Sequence, residues 1–231
     1  MNYLKPWLVA IWHGWGMALV VAVVVTTTFR SAIADWYDIP SGSMEPTILV
    51  GDRIFVNKLA YDLKIPFTLH HLFQWSNPER ADIVVFLSPV DETRLIKRVV
   101  GIPGDVIAMR KNHLFINGQP VRYHPLDETI TNQIEPDRRL HHQFFYEIMP
   151  GGTHPVMITP SQPSIHSFGP DVVPDGYYFM LGDNRDNSGD SRFWGYVSRR
   201  RIEGRATNVA ISLDRVRHFK PRWQRFLQPL L

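Results

Sequence analysis

From Leu8 to Thr28 the chain is almost wholly apolar, with Val20-Val21-Ala22-Val23-Val24-Val25 at its centre. About twenty apolar residues in a row span a bilayer as a helix, so the pattern predicts one N-terminal transmembrane helix over 7–29. Trp7, Trp12 and Trp15 gather toward one end of the run, and Trp36 and Tyr37 lie past the other, where interfacial aromatic belts sit. Beyond residue 36 the pattern changes to short runs dense in Val, Ile and Phe, separated by Gly, Pro and Asp. Ile54-Phe55-Val56, Ile83-Val84-Val85-Phe86, Leu95 to Ile102, Tyr177 to Leu181 and Asn208 to Leu213 read as strands. Asn117-Gly118, between Leu114-Phe115-Ile116 and Val121, predicts a hairpin with a type I′ turn. From 107 to 175, Pro, His and polar residues crowd and periodicity weakens, which marks an inserted subdomain, loop-rich in pattern and expected to be β-rich. The expectation is a mainly β protein. An antiparallel-sheet core over 36–106 and 176–214 carries the insertion over 107–175, with a basic and aromatic tail over 215–231 and a short N-terminal stretch over 1–6.

A length of 231 residues allows one compact core plus an excursion, and a net charge of +3 gives only a mild preference for anionic surfaces. The absence of cysteine excludes a disulfide framework, a thiolate zinc site and a cysteine nucleophile. Only Lys5 and Arg30 flank the apolar run, so with the α-amino group the N-terminus falls marginally on the cytoplasmic side. His13 lies within the run beside Trp12 and reads as a neutral interfacial side chain. Ala32-Ile33-Ala34 has the form of a secretory cleavage site, and a removable signal is the rival to the anchor. Cleavable signals use roughly 7–15 apolar residues, and the longer run here favours an uncleaved anchor.

Chemistry concentrates at three places. Pro40-Ser41-Gly42-Ser43-Met44-Glu45-Pro46-Thr47 holds a tight Gly-Ser segment that either forms a plain turn or presents a nucleophile. A serine hydroxyl needs an adjacent base and donors for the developing oxyanion. On a strand, Leu95, Lys97 and Val99 share one face and Ile96, Arg98 and Val100 the other, so Lys97 sits among apolar neighbours. Burial there would lower its pKa toward the range of a general base, whereas a strand-end lysine reaching solvent is the bland alternative. The third place is Gly182-Asp183-Asn184-Arg185-Asp186-Asn187-Ser188-Gly189-Asp190-Ser191-Arg192, dense enough in polar groups to tie itself down. It fails as a calcium loop, because counting from Asp183 the third, sixth and twelfth positions hold Arg185, Ser188 and Trp194.

These three blocks, with Gly51-Asp52 and Gly101-Ile102-Pro103-Gly104-Asp105 in register between them, resemble the bacterial type I signal peptidases, membrane-anchored Ser-Lys endopeptidases. The matched blocks cover 37–60, 82–105 and 177–207. The resemblance implies Ser43 as nucleophile and Lys97 as general base, with Ser41 lending its hydroxyl to the oxyanion hole and Ser188 hydrogen-bonding the Lys97 amine. Asp183, Asp190, Arg98 and Arg192 would support the site through ion pairs. Tyr37, Ile39, Met44, Ile54, Val85 and Ile96 match positions that line shallow pockets for small residues at −1 and −3 of a leader peptide. It implies no cofactor and no metal. The implied partners are signal peptides of exported precursors and the phospholipid bilayer, with the catalytic part on the extracytoplasmic face of the inner membrane and oligomeric state open.

One anchor stands where some members have two, and Leu95 stands where an aromatic residue is common. Phe67, Leu69, Leu72, Phe73 and Trp75 read either as a membrane-dipping surface like the family's or as ordinary core. The arginines of the C-terminal segment, from Arg199 to Arg225, with Phe219, Trp223 and Phe226 between them, read as headgroup contacts or a solvated face rather than a nucleic-acid site. Ten histidines form no H-E-x-x-H motif, and adjacent His141 and His142 would face opposite ways on a strand. The rival functions are a specialised Ser-Lys peptidase acting on conjugative-transfer or pilin substrates, a self-cleaving Ser-Lys regulator, or an inactive membrane-tethered binding homologue.

Overall fold

The computed structural model describes residues 15–65, 68, 70–132, 134 and 139–230. Its helix α1, Met17–Ala32, has 16 residues and leaves Leu19, Val21, Val23, Val24 and Val25 each more than half exposed. No helix among the described residues is long and apolar enough to cross a membrane. The N-terminal part of the expected anchor, with Trp7, Trp12 and His13, lies outside the described residues, as do Phe67 and Leu69.

The rest is mainly β. The strands are β1 Ala34–Asp38, β2 Asp52–Asn57, β3 Asp62–Lys64, β4 His71–Gln74, β5 Ile83–Leu87, β6 Arg94–Gly101, β7 Val106–Arg110, β8 His113–Ile116, β9 Gln119–Pro120 and β10 Arg122–Pro125. They continue with β11 Gln143–Met149, β12 Gly152–Ile158, β13 Phe168–Val172, β14 Tyr177–Leu181, β15 Val197–Ser198, β16 Ile202–Asp214 and β17 Lys220–Pro221. The main sheet is antiparallel in the order β1-β2-β16-β5-β6-β14-β15, with β17 added to β16. β16 runs well past the predicted Asn208–Leu213, and its register shifts at three places let one long strand follow the curl of both neighbours.

β5 explains why the sheet has core on both faces. Its run Ile83-Val84-Val85-Phe86 has no polar alternation, as expected of a strand covered on two sides. Ile83 and Val85 pack with Ile39, Met44, Ile48, Ile54 and Val56, whereas Val84 and Phe86 pack with Tyr61, Val99, Tyr178, Met180 and Ile202. Burying a side chain of this size stabilises by about 1.5–3 kcal/mol, so a single charge placed here opposes the whole layer.

Between β6 and β14 the chain forms two further sheets, β13-β7-β8-β9 and β10-β11-β12. The segment holds more strand than its weak periodicity suggests, because its short strands expose much of their surface and need no continuous apolar run. Asn117 and Gly118 both have positive φ, at 53° and 76°, as the type I′ turn demands. A shared core welds the insertion to the main sheet: Val100, Phe179 and Leu181 pack with Ile107, Met109, Leu114 and Met149.

Two other expectations change. Leu72, Phe73 and Trp75 on and beside β4 are 51%, 69% and 55% exposed, which overturns the reading of this stretch as core. In the C-terminal tail Arg215, Arg217 and Lys220 are exposed, as a solvated face requires, but Arg225 is not. The tail folds back along β16, with Arg225 buried against Asp52 at 2.6 Å and donating to the Thr47 carbonyl. Arg199 is likewise buried and pairs with Asp62 at 2.7 Å.

Candidate active site

Residues 41–48 form a run of tight turns before β2, with the Glu45 amide on the Gly42 carbonyl and the Ile48 amide on the Met44 carbonyl. The run is pinned from below by Met44, fully buried, and this fixes the direction of the neighbouring Ser43. Lys97 comes from β6, opposite Val84 of β5, and is 3% exposed. Its Nζ donates to Ser43 Oγ at 2.6 Å. No carboxylate lies within ion-pair distance of Lys97 among the described residues. Burial therefore dominates and holds the amine down at about 8, with Asp190 and Asp183 pulling upward and Arg192 downward from further off. The amine reaches its neutral, proton-accepting form in mildly alkaline solution, where an ordinary lysine would still be an ammonium.

The polar loop 182–192 packs behind this pair. Arg98 meets Asp183 through two hydrogen bonds of 2.9 and 2.8 Å, and both side chains are fully buried. Asp183 also accepts from the Thr47 hydroxyl, which ties the loop to the serine segment. Arg192 meets Asp190 in the same two-pronged way, at 2.8 and 2.9 Å, and Asp190 accepts the Gly182 amide. Asn184 bonds the serine segment directly: its amide donates to the Ser43 carbonyl at 3.1 Å and its Nδ2 to the Gly42 carbonyl at 3.0 Å. Gly182 has room for nothing larger, because a Cβ there would come within 2.2 Å of Ser188 Oγ and 2.5 Å of the Ser43 carbonyl.

A cavity of about 500 Å³ opens beside the pair, lined by Tyr37, Ile39, Ile54, Val85, Ile96 and Leu95 and reaching Ser41, Ser43 and Lys97. β14 pairs with β6 only from Arg98 to Gly101, which leaves the β6 edge from Arg94 to Lys97 without a partner strand beside this cavity. Tyr37 is held as one wall, with the Arg94 guanidinium 4.6 Å over its ring and its hydroxyl on Glu203. Burial, then the Glu203 charge, raises the Tyr37 hydroxyl's pKa and keeps it neutral.

Two of the expected roles differ in the structure. Ser188 Oγ is buried but makes no hydrogen bond, so the bond to Lys97 is not formed; the serine instead fills the space left by Gly182. Met44 sits beneath the pocket rather than on its wall. Sequence reasoning missed Asn184 as a holder of Ser43, and it missed Thr47 and Arg225. Asn184 was visible inside the polar motif, but only its contacts single it out from its neighbours.

A buried lysine without a counter-ion, touching a serine hydroxyl beside an open strand edge, has the parts of a serine hydrolase that uses an amine as its base. The family model for signal peptidases, peptidase S26, matches residues 12–211 of this chain. Signal peptidase I of Pseudomonas fluorescens is 37% identical over 182 residues, which cover 78% of this chain and 62% of that protein. Signal peptidase I of Pseudomonas aeruginosa is 34% identical over 210 residues, covering 86% and 72%. Signal peptidase I P of Bacillus subtilis subsp. natto is 30% identical over 207 residues, covering 89% and 92%. The chain belongs to the signal peptidase family.

Proposed function

We propose that the chain is a membrane-anchored serine endopeptidase that removes leader peptides from exported proteins after small residues at −1 and −3. The observation that carries this reading is the 2.6 Å contact between a buried, uncompensated Lys97 amine and Ser43 Oγ. Neutral Lys97 takes the Ser43 proton as Oγ attacks the scissile carbonyl, then returns a proton to the leaving amine. The oxyanion is received by the Ser43 amide and the Ser41 hydroxyl, of residues that both line the cavity. The Arg98–Asp183 and Arg192–Asp190 pairs hold the amine's surroundings in place. The substrate adds as an extended strand along Arg94 to Lys97, presenting alternate side chains to the pocket. Tyr37, Ile39, Ile54, Val85 and Ile96 make that pocket narrow and apolar, which favours Ala over bulkier residues by overpacking.

Two features support a membrane location: the apolar side chains exposed around α1, and the exposed Leu72, Phe73 and Trp75 of the β3–β4 hairpin. An anchor would deliver precursors to the site at raised effective concentration. The deciding experiment follows a secretory precursor with an A-x-A site in detergent, using the native chain, Ser43→Ala and Lys97→Ala. A cut after the A-x-A motif by the native chain, lost in both variants, is expected. Cleavage that persists in either variant removes the Ser-Lys assignment, and a native chain that leaves the precursor intact points to an inactive homologue.

A further inference from the structure

Among the described residues, the insertion between β6 and β14 contributes no side chain to the cavity beside Ser43. It nevertheless grips the polar loop at three successive points. The Met157 amide of β12 donates to the Asp183 carbonyl at 2.8 Å. Glu147 of β11 receives both terminal nitrogens of Arg185, at 2.8 and 2.6 Å, with both side chains fully buried. Asp186 receives Asn112 Nδ2 at 3.2 Å and the Thr159 amide at 2.7 Å, with His166 Nε2 3.2 Å from its carboxylate. Asn112 is placed for this by the two-residue turn between β7 and β8, where Lys111 and Asn112 both have positive φ. Glu147 is itself oriented by the Tyr123 hydroxyl and by His154 Nε2 at 3.2 Å.

The gripped residues flank Asn184, the residue whose amide and side chain hold the Ser43 and Gly42 carbonyls. A buried two-pronged ion pair has one good geometry and a high cost of leaving it. Fixing Asp183, Arg185 and Asp186 therefore fixes Asn184, and through it the height of Ser43 opposite Lys97.

We propose that the insertion is a positioning device, in which Glu147 acting through Arg185, and Asn112 acting through Asp186, set Asn184 and thereby the nucleophile. This rests on Ser43 and Lys97 being the reacting pair. Displacing a reacting atom by about 1 Å costs on the order of 100-fold in rate. Removing the Asn184 side chain should therefore lower kcat by about 10- to 100-fold while KM, set by pocket walls that Asn184 does not line, moves less than about twofold.

The test is a double-mutant cycle on the full chain, with kcat, KM and Tm measured for the native protein, Asn184→Ala, Glu147→Gln and the double variant, using an A-x-A precursor. Glu147→Gln is expected to lower kcat about tenfold in the native background and by clearly less in the Asn184→Ala background, where only the Asn184 amide still holds the Ser43 carbonyl. Its Tm loss should be the same in both, because stability is not routed through Asn184. Multiplying kcat losses, or an unchanged kcat in Glu147→Gln, would overturn the proposal. If Glu147→Gln does not fold, Asn112→Ala replaces it in the same cycle, since it removes only a neutral donor. A native chain that does not cleave fails the Ser-Lys reading and the proposal with it. Native cleavage with independent effects fails the proposal alone.

Discussion

Two buried lysines lie in this protein about thirty residues apart in sequence, and they differ in company. Lys64, the last residue of β3, touches Asp62 at the base of the β3–β4 hairpin, which also pairs with Arg199 at 2.7 Å and lies 3.1 Å from His71 Nδ1. Lys97, more deeply buried, hydrogen-bonds only the Ser43 hydroxyl among the described residues. Burial is the largest influence on both and lowers both, but at Lys64 the hydrogen bond and charge of Asp62 work against it. At Lys97 the nearby carboxylates are already spent on Arg98 and Arg192. Burying an amine is therefore not enough to make it a base. The neighbouring carboxylates must be occupied elsewhere, and the two arginines beside the site occupy them.

The contrast breaks most visibly by deletion. Lys97→Met should lower cleavage by at least about 1000-fold, within the range a lost general base gives. Lys64→Met should leave kcat within about twofold, and parallel assays of one precursor separate the two. The next largest effect is on folding. Asp62→Asn leaves the amine and guanidinium at the hairpin base without their carboxylate and should cost about 3 kcal/mol, measured by urea denaturation near neutral pH.

The contrast is sharpened by pH. Under the proposed mechanism Lys97 acts in its neutral form, so cleavage should fall about tenfold per pH unit below about 8 and level off above it, and Lys64→Met should leave that limb where it is. Stability carries the same signature with a defined sign. The unfolded chain holds the Lys97 proton more tightly than the folded one, so stability rises as pH climbs from about 8 to the ordinary lysine value of 10.5. Comparing native protein and Lys97→Met by denaturation across that window should show this rise, on the order of 3 kcal/mol, only in the native chain. The smallest effect belongs to an exposed pair with no burial to amplify it. Glu92→Gln, which releases Arg201 at 2.8 Å on the surface, should change stability by less than about 0.5 kcal/mol.

The sequence made legible those parts whose signal is local. Ile83 to Phe86 reads as a covered strand because its apolar run is unbroken, and Asn117-Gly118 reads as a hairpin because few residue pairs accept two positive φ angles. The alternation along β6 placed Lys97 on an apolar face without any knowledge of what crosses it. Contacts between distant segments left no such trace. Nothing near Glu147 announces Arg185, and nothing near Arg225 announces Asp52, because a charged side chain gives the same signal whether it is buried with a partner or solvated. Ser188 shows the limit of transferring a role by motif: its position is as expected, but its hydroxyl meets packing instead of an amine.

The open edge of β6 carries a liability of its own. A row of unpaired backbone groups recruits any extended chain, including the same row on another copy of the protein, and so invites edge-to-edge association. Here the row is four residues long, from Arg94 to Lys97, and Arg94 puts a half-exposed guanidinium at its entrance. So short a row offers a second copy few backbone hydrogen bonds, which discourages self-pairing, and under the proposed function it leaves the edge open to a substrate strand.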